Sequence, residues 1–457
     1  MTATVELPVW LFVLILLFAA VTFASHFLFP SVRWFFRRRM ERVVARLNER
    51  LERPIEPFKL ARRYDMIQRL IYDPDVGRAI ADHAKAEGIP ENVAFEEARR
   101  YAREIVPGFS ASAYFGFAIR ASRWLSKTLY RVRIGNFDEA SLSKVDENAT
   151  VVFVMNHRSN MDYVLVTWLA AERSALSYAV GEWARVWPLS RMIRAMGGYF
   201  IRRKSRNDLY RRVLARYVGM ATDGGVTQAV FPEGGLSLDG GLAPPKLGIL
   251  KYIVEGRHDL DRDVVFVPVA LNYDRVFEDR ILVAAGARGE RRFQARISVV
   301  AGFIVTQFWL WITRRYHRHG YAAVSFGTPV SLNGYIQDNP GASVEQLGER
   351  LMVRIGEEVP VLPVPVVSHV LAGQVGPMTE DALTEAVDDL LTRLPQAHVH
   401  TPRDDDEYLV TVGLRNLRKR GILVDGPDGI TVNDGDLALV SFYARSIAHL
   451  IKDRPTP

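Results

Sequence analysis

The 457-residue chain contains no cysteine. That excludes disulfides, thiolate nucleophiles and thiolate metal ligands, and nothing points to an oxidising compartment. There is no internal repeat and no low-complexity tract, so neither a solenoid nor a linker-rich chain is expected. Asp, Glu, Lys and Arg are all missing between residues 7 and 32, "LPVWLFVLILLFAAVTFASHFLFPSV". About 20 apolar residues suffice to span a bilayer, so this stretch reads as a retained transmembrane helix. A cleaved signal fits less well, because only Glu6 precedes it, with no basic n-region, and no small-x-small site stands out. An interfacial helix or hairpin is the other alternative.

What is present is ordinary for a globular protein of two or three domains, with 48% hydrophobic and 24% charged residues. The formal charge of +7 and a pI near 9.5 suit nucleic acid, anionic lipid or phosphorylated substrates about equally. The charge is clustered. Residues 31–63 hold eleven Lys/Arg against four Asp/Glu. By the positive-inside rule, this flank and everything after it stays on the cytoplasmic side of the cell membrane, with Trp34, Phe35 and Phe36 at headgroup depth and the arginines on anionic lipid. Nucleic acid is disfavoured, since the flank lacks interleaved stacking residues.

Four regions are expected: a tail and transmembrane helix (1–30), a basic flank with helices (31–130), an α/β domain (131–335) and a mainly helical C-terminal domain (336–457). Residues 64–130 show apolar positions at three- and four-residue intervals. Short β-branched runs then recur at 150–156, 226–234, 263–273 and 321–330, with helical stretches around 163–175, 183–196 and 206–223 between the first three. Continuous apolar strands alternating with helices predict a mostly parallel sheet covered on both faces. The apolar stretch 297–313 reads either as buried core or as a segment lying in the membrane interface. "DNPGAS" (338–343) marks a boundary, and 409–432 reads as a helix followed by a hairpin.

Four segments carry chemistry. The first is "VVFVMNHRSNMDYVLV" (151–166), an apolar run that delivers a compact polar cluster, a common way to present reactive groups at a sheet edge. The spacing of His157 and Asp162 in a strand-to-helix turn lets the carboxylate reach one ring nitrogen, fix the tautomer and make the other nitrogen a base. The pair is two thirds of a Ser-His-Asp triad, the missing nucleophile being a substrate hydroxyl. The alternative is a helix cap made by Asn156 or Ser159, with Asp162 favouring the helix dipole. No cluster with metal-ligand spacing stands nearby. In the second segment, "MGGYFIRRKSRNDLYRRVL" (196–214), Arg202, Arg203 and Lys204 follow an aromatic strand and suit phosphate, or are a solvated face. In the third, "VFPEGGLSLDGGLAPPKLGIL" (230–250), a strand runs into Glu233, Gly234 and Gly235, with Lys246 after a rigid Pro-Pro; such glycines free backbone N–H groups for an anion. The fourth, "VFVPVALNYDRV" (265–276), is a core strand whose Pro268 interrupts the ladder.

In order, "HRSNMDY", "GGYFIRR", "FPEGG" and "VPVALNYD" resemble the four blocks of the glycerolipid acyltransferase superfamily, in the form seen in bacterial membrane-bound glycerol-3-phosphate acyltransferases. "SFYARSIAHLI" (441–451) is similar to that family's C-terminal end. The resemblance implies acyl transfer from acyl-CoA or acyl-carrier protein to the sn-1 hydroxyl of glycerol 3-phosphate, giving lysophosphatidate at the start of phospholipid synthesis, with no cofactor and no metal. It implies His157 as general base and Asp162 as its orienting partner. Arg202 and Arg203 would hold phosphate, helped by Lys246; Arg158 and Ser159 would contact substrate; Glu233, Gly234 and Gly235 would shape the acceptor pocket; and Pro268 would help form the donor side. A backbone N–H of the 157–162 turn, or a water, is left to stabilise the oxyanion. One departure stands out. Where the third block usually continues with arginines, this chain has Leu236 and Leu238, which leaves room for a lysophospholipid acceptor or for a non-catalytic membrane scaffold.

Overall fold

A computed structural model describes residues 8–451 apart from 171–173, 182–184, 188, 203–206, 259–260, 290–317, 395–398, 401 and 403–404, and leaves out the side chains of 23–37, 39–41 and 43. The chain divides into two compact units, Met1–Ile55 and Glu56–Pro457.

The first unit is built on one 40-residue helix, Val9–Asn48, which runs from the apolar stretch into the basic flank. Its first turns are apolar all round, with Trp10, Phe12, Leu14, Leu17 and Phe18 exposed. Among the described residues no helix is long and apolar enough to cross a membrane. The expected transmembrane helix is therefore not found there. Within the 7–32 stretch the described side chains stop at Thr22, short of the roughly 20 residues a span takes. The rest of the 7–32 stretch lies outside the described side chains, as the 297–313 segment lies outside the described residues.

The second unit is an α/β structure around a mostly parallel sheet. Its strands are β1 (Arg131–Phe137), β2 (Thr150–Met155), β3 (Ser177–Gly181), β4 (Tyr199–Ile201), β5 (Gln228–Val230), β6 (Val264–Tyr273), β7 (Tyr321–Phe326) and β8 (Val330–Ser331). They lie in the order β1-β7-β6-β2-β5-β3-β4, with β8 also against β6. β6 pairs antiparallel with β7 and β8; every other pair in this sheet is parallel. β2 and β6 are buried along their whole length, which is why their sequences are continuously apolar rather than alternating. Pro268 sits inside β6 where the antiparallel partner changes from β8, at Val265 and Phe266, to β7, from Val269 onward. Its carbonyl accepts from Gly327 N–H at 2.8 Å, and its missing N–H points to the same side, where the ladder is already interrupted.

Helices cover the sheet. Pro74–Glu87 starts on an Asp73 cap with proline in its first turn and stops at Gly88 in the left-handed conformation, all signals visible in sequence. It packs against Asp208–Asp223, and Val344–Glu357 packs on β6 and β2. Pro363–Ala372, buried over most of its length, is the hub of the C-terminal helices. It contacts Glu380–Thr392, Asp406–Arg418 and Leu437–Arg445. Its crossing with Asp406–Arg418 is close because Gly413 has no side chain; a Cβ there would lie 2.6 Å from Val367. The hairpin expected near 409–432 forms from β9 (Leu423–Gly426) and β10 (Gly429–Val432).

Candidate active site

β2 ends at Met155 in the middle of the sheet, while its neighbour β6 runs on to Tyr273. The carboxyl ends of parallel strands are where open α/β sheets place their sites. Asn156 extends the pairing by side chain: its Nδ2 donates to Leu271 O at 2.9 Å and its Oδ1 accepts from Leu271 N–H at 2.8 Å. It is therefore a stitch between strands and not a helix cap. The chain then turns through 157–160 into the helix Met161–Leu169.

That turn brings His157 and Asp162 together. Nδ1 of His157 lies 2.9 Å from Oδ2 of Asp162, and both side chains are buried. Oδ2 also accepts from the N–H groups of Arg158 at 2.7 Å and Ser159 at 3.0 Å, and Oδ1 accepts from the Tyr273 hydroxyl at 2.6 Å. A group accepting so many donors acts as a carboxylate, which puts the proton on Nδ1 and leaves Nε2 as the basic nitrogen. Burial and the neighbouring Asp162 push the Tyr273 phenol well above its ordinary pKa, so it stays a donor. The imidazole plane is held by Phe231, with ring centres 4.1 Å apart, and by the edge of Tyr163 at 5.4 Å.

Glu233 braces the turn from below. Its Oε1 accepts from His157 N–H at 2.9 Å and its Oε2 from Ala243 N–H at 3.2 Å. Burial raises its pKa, opposed by those N–H groups and by Arg158. Glu278 braces the other side, accepting from Ser159 Oγ at 2.7 Å and from Asn160 Nδ2 at 2.9 Å and N–H at 3.3 Å. With Met161 N–H on Ser159 Oγ and Asp162 N–H on Ser159 O, every backbone N–H from His157 to Asp162 already has an acceptor. Of the two oxyanion donors left open, a backbone N–H of this turn is thus already engaged, four of the six on Asp162, Glu233 and Glu278 and two on Ser159.

Of the remaining expected residues, Arg158 is fully buried under the turn. Its Nη2 donates to Ser446 O at 3.2 Å, while Nε and Nη1 have no hydrogen-bond partner. Burial lowers its pKa, opposed by Glu233, Asp162 and Asp239. Gly234 takes φ +64°, and the Lys246 stem crosses it so closely that a Cβ would lie 2.7 Å from Lys246 Cδ. Gly235 follows in the same turn. His157, Arg158, Ser159, Asp162, Glu233, Gly234 and Lys246 thus form one neighbourhood. Arg202 stands apart, just after β4, three strands from β2. It grips Glu104 with Nε at 2.9 Å and Nη2 at 2.7 Å, and Arg185 adds a third bond at 2.6 Å. Arg203 lies outside the described residues. Pro268 pairs with Val154 inside the sheet, below the strand end that carries His157. Leu236 and Leu238 pack against the hydrophobic core.

The residues that sequence reasoning missed are Tyr273, Glu278 and Phe231. Tyr273 lies within the fourth quoted block and Phe231 within the third, so their segments were visible although their contacts were not. No group of carboxylates and histidines with metal-binding geometry occurs among the described residues.

Residues 137–272, which hold the His157–Asp162 pair and its braces Glu233 and Asn156, match the family model described as Acyltransferase. Residues 307–454 match the model of the glycerol-3-phosphate acyltransferase C-terminal region. Curated relatives named glycerol-3-phosphate acyltransferase include proteins of Aeromonas hydrophila (28% identical over 423 residues, 86% of this chain and 50% of that one) and Pseudoalteromonas translucida (25% over 420 residues, 86% and 50%). The chain spans about half the length of the curated relatives it matches. A solved 1-acyl-sn-glycerophosphate acyltransferase from Thermotoga maritima superposes with a TM-score of 0.34 at 19% identity, covering 64% of this chain and 95% of that one.

Proposed function

We propose that this protein transfers a fatty acyl group from a thioester, acyl-CoA or acyl-carrier protein, to the sn-1 hydroxyl of glycerol 3-phosphate, giving lysophosphatidate. The observation that carries the reading is the His157–Asp162 contact at 2.9 Å, with Nε2 left as the base. Nε2 takes the proton of the hydroxyl as its oxygen attacks the thioester carbonyl. The C–O bond forms, the C–S bond breaks, and the proton passes from the imidazolium to the departing thiolate. Asp162 holds the imidazolium in place between those steps. Lys246, whose stem crosses Gly234, is a cation beside this turn that suits the acceptor phosphate. A lysophospholipid acceptor is the second reading, favoured by Leu236 and Leu238 standing where phosphate-binding arginines are expected.

The helix Val9–Asn48 supports attachment to a membrane, because its first turns are apolar all round and a basic flank follows. Membrane fractions washed with alkaline carbonate should retain the full chain; release into the wash overturns the anchor. The acyl-transfer reading is tested by thiol release from palmitoyl-CoA with glycerol 3-phosphate. His157→Ala should lose about 10²–10⁴-fold in rate while keeping its melting transition. A rate equal to the parent's excludes His157 as the base.

A further inference from the structure

The same end of the sheet carries a cavity that the chemistry above does not use. It has a volume of about 500 Å³ and is lined by Lys127, Arg131, Arg133 and Arg318 together with Trp168 and Tyr321. An adjoining hollow shares Arg131 and Arg318 and adds Arg415 and Lys419. No acidic side chain lines either one. Among the described residues, none of these six cations pairs with a carboxylate. Several rest on aromatic faces instead. Lys127 Nζ lies 5.6 Å from the centre of the Trp168 ring, and the Arg131 and Arg133 guanidinium carbons lie 5.8 and 5.7 Å from that of Tyr321. Elsewhere in this unit the pattern is the opposite, since Arg202, Arg216, Arg280 and Arg418 all hold carboxylates. A concave cluster of like charges without counter-ions repels itself until an anion enters.

The position is as telling as the charge. Arg131 opens β1 and Tyr321 opens β7, and β7 runs antiparallel to β6, so both start at the sheet end where β2 delivers His157. β1 is three strands from β2, about 14 Å at the usual strand spacing. Trp168 is on the helix that carries Asp162. Tyr130, another wall residue, packs its ring 5.4 Å from that of Tyr273, the residue that holds Asp162.

Cations that match phosphate oxygens and flat rings that match a base, set around an open hollow, together fit a phosphorylated nucleotide better than a protein surface or an isolated phosphate. We propose that this cavity binds the phosphorylated adenosine end of a CoA thioester, the pantetheine arm crossing the ends of β7 and β6 to bring the thioester to His157. The proposal rests on the acyl-transfer reading and selects CoA over acyl-carrier protein as the donor.

Titration of the purified full chain with CoA, adenosine 3′,5′-bisphosphate, inorganic phosphate and phosphatidylglycerol vesicles tests it. CoA and the bisphosphate should bind the parent and His157→Ala alike, and bind Arg131→Gln/Arg133→Gln at least tenfold more weakly. Both arginines are exposed on an edge strand, so the double variant should fold, which its melting curve checks. In turnover, that variant should raise KM for palmitoyl-CoA at least tenfold with little change in kcat. Unchanged CoA affinity in the double variant overturns the proposal. So does a parent that binds vesicles or phosphate but not the bisphosphate, and so does a rise in KM confined to a carrier-protein thioester. An unmoved KM for palmitoyl-CoA with transfer intact removes the site and leaves the acyl-transfer reading standing. CoA binding that needs the two arginines in a chain that transfers no acyl group removes that reading and leaves the site.

Discussion

The hydroxyl of Tyr273 meets the carboxylate of Asp162 at 2.6 Å across 111 residues of sequence. It satisfies the one oxygen of Asp162 that neither the imidazole nor the turn occupies. A hydrogen bond to a buried charged group is worth about 1.5–3 kcal/mol. Tyr273 touches no reacting atom, so it is a positioning residue. Tyr273→Phe is expected to lower kcat about tenfold with KM little changed. Steady-state kinetics check this split; a change confined to KM would point instead to a direct contact with substrate.

Asp274, the next residue, sets a pH dependence of stability. Its Oδ1 accepts from Val364 N–H at 2.9 Å and its Oδ2 from Tyr321 N–H at 2.8 Å, which ties β6 to the start of β7 and to the helix Pro363–Ala372. Burial nevertheless raises its pKa to about 7. An unfolded aspartate ionises near 3.9, so between that pH and about 7 the native state holds a proton that the unfolded state has lost. This group's contribution is therefore full below about pH 4 and declines as the pH rises through 7, by a few kcal/mol at most at about 1.4 kcal/mol per pH unit. Urea unfolding at pH 5 and pH 8 should show the parent losing more stability than Asp274→Asn over that interval. Parallel losses would show that other groups govern it.

How much of this was legible in the sequence depended on distance along the chain. His157 and Asp162 sit in one turn, so their spacing alone announces the contact. Glu233 belongs to a turn whose glycines stand out, yet its grip on the His157 N–H needs β5 beside β2 in register, which no local pattern reveals. Tyr273 and Glu278 reach the turn from more than a hundred residues away. β6 is buried on both faces, so it shows no alternation from which the direction of Tyr273 can be read. β3 and β4 are short and blend into their surroundings, while β1 carries exposed arginines on an edge. β1 and β3 are missing from a reading based on apolar runs, and β4 shows only as the aromatic strand before Arg202. Arg202 looks like a free phosphate ligand in sequence because Glu104, its partner, lies in a helix of the N-terminal region.

Leu236 and Leu238 yield a third prediction. They are half-buried against the core where the family resemblance leads one to expect arginines. Restoring that pattern puts a guanidinium into apolar packing, so Leu236→Arg or Leu238→Arg should cost about 1–3 kcal/mol of stability. It should not raise affinity for glycerol 3-phosphate. Thermal melting with KM determination checks both halves. A stable variant with a lower KM would mean that the side chain at that position faces the acceptor.

Arg202 separates two roles that one substitution distinguishes. Its two bonds to Glu104 neutralise a carboxylate whose side chain is only 5% exposed, with Arg185 as the remaining partner. Removing one member of a well-buried pair typically costs about 3–5 kcal/mol. Here Arg185 stays and Arg202 is itself partly exposed, so Arg202→Gln should cost about 1–3 kcal/mol. Glu104→Gln, which removes the buried charge instead, should partly rescue Arg202→Gln when the two are combined. If Arg202 holds the acceptor phosphate, the single variant melts like the parent, KM for glycerol 3-phosphate rises, and Glu104→Gln rescues nothing. Melting temperatures of the two single variants and the double, read beside their KM values, close the cycle.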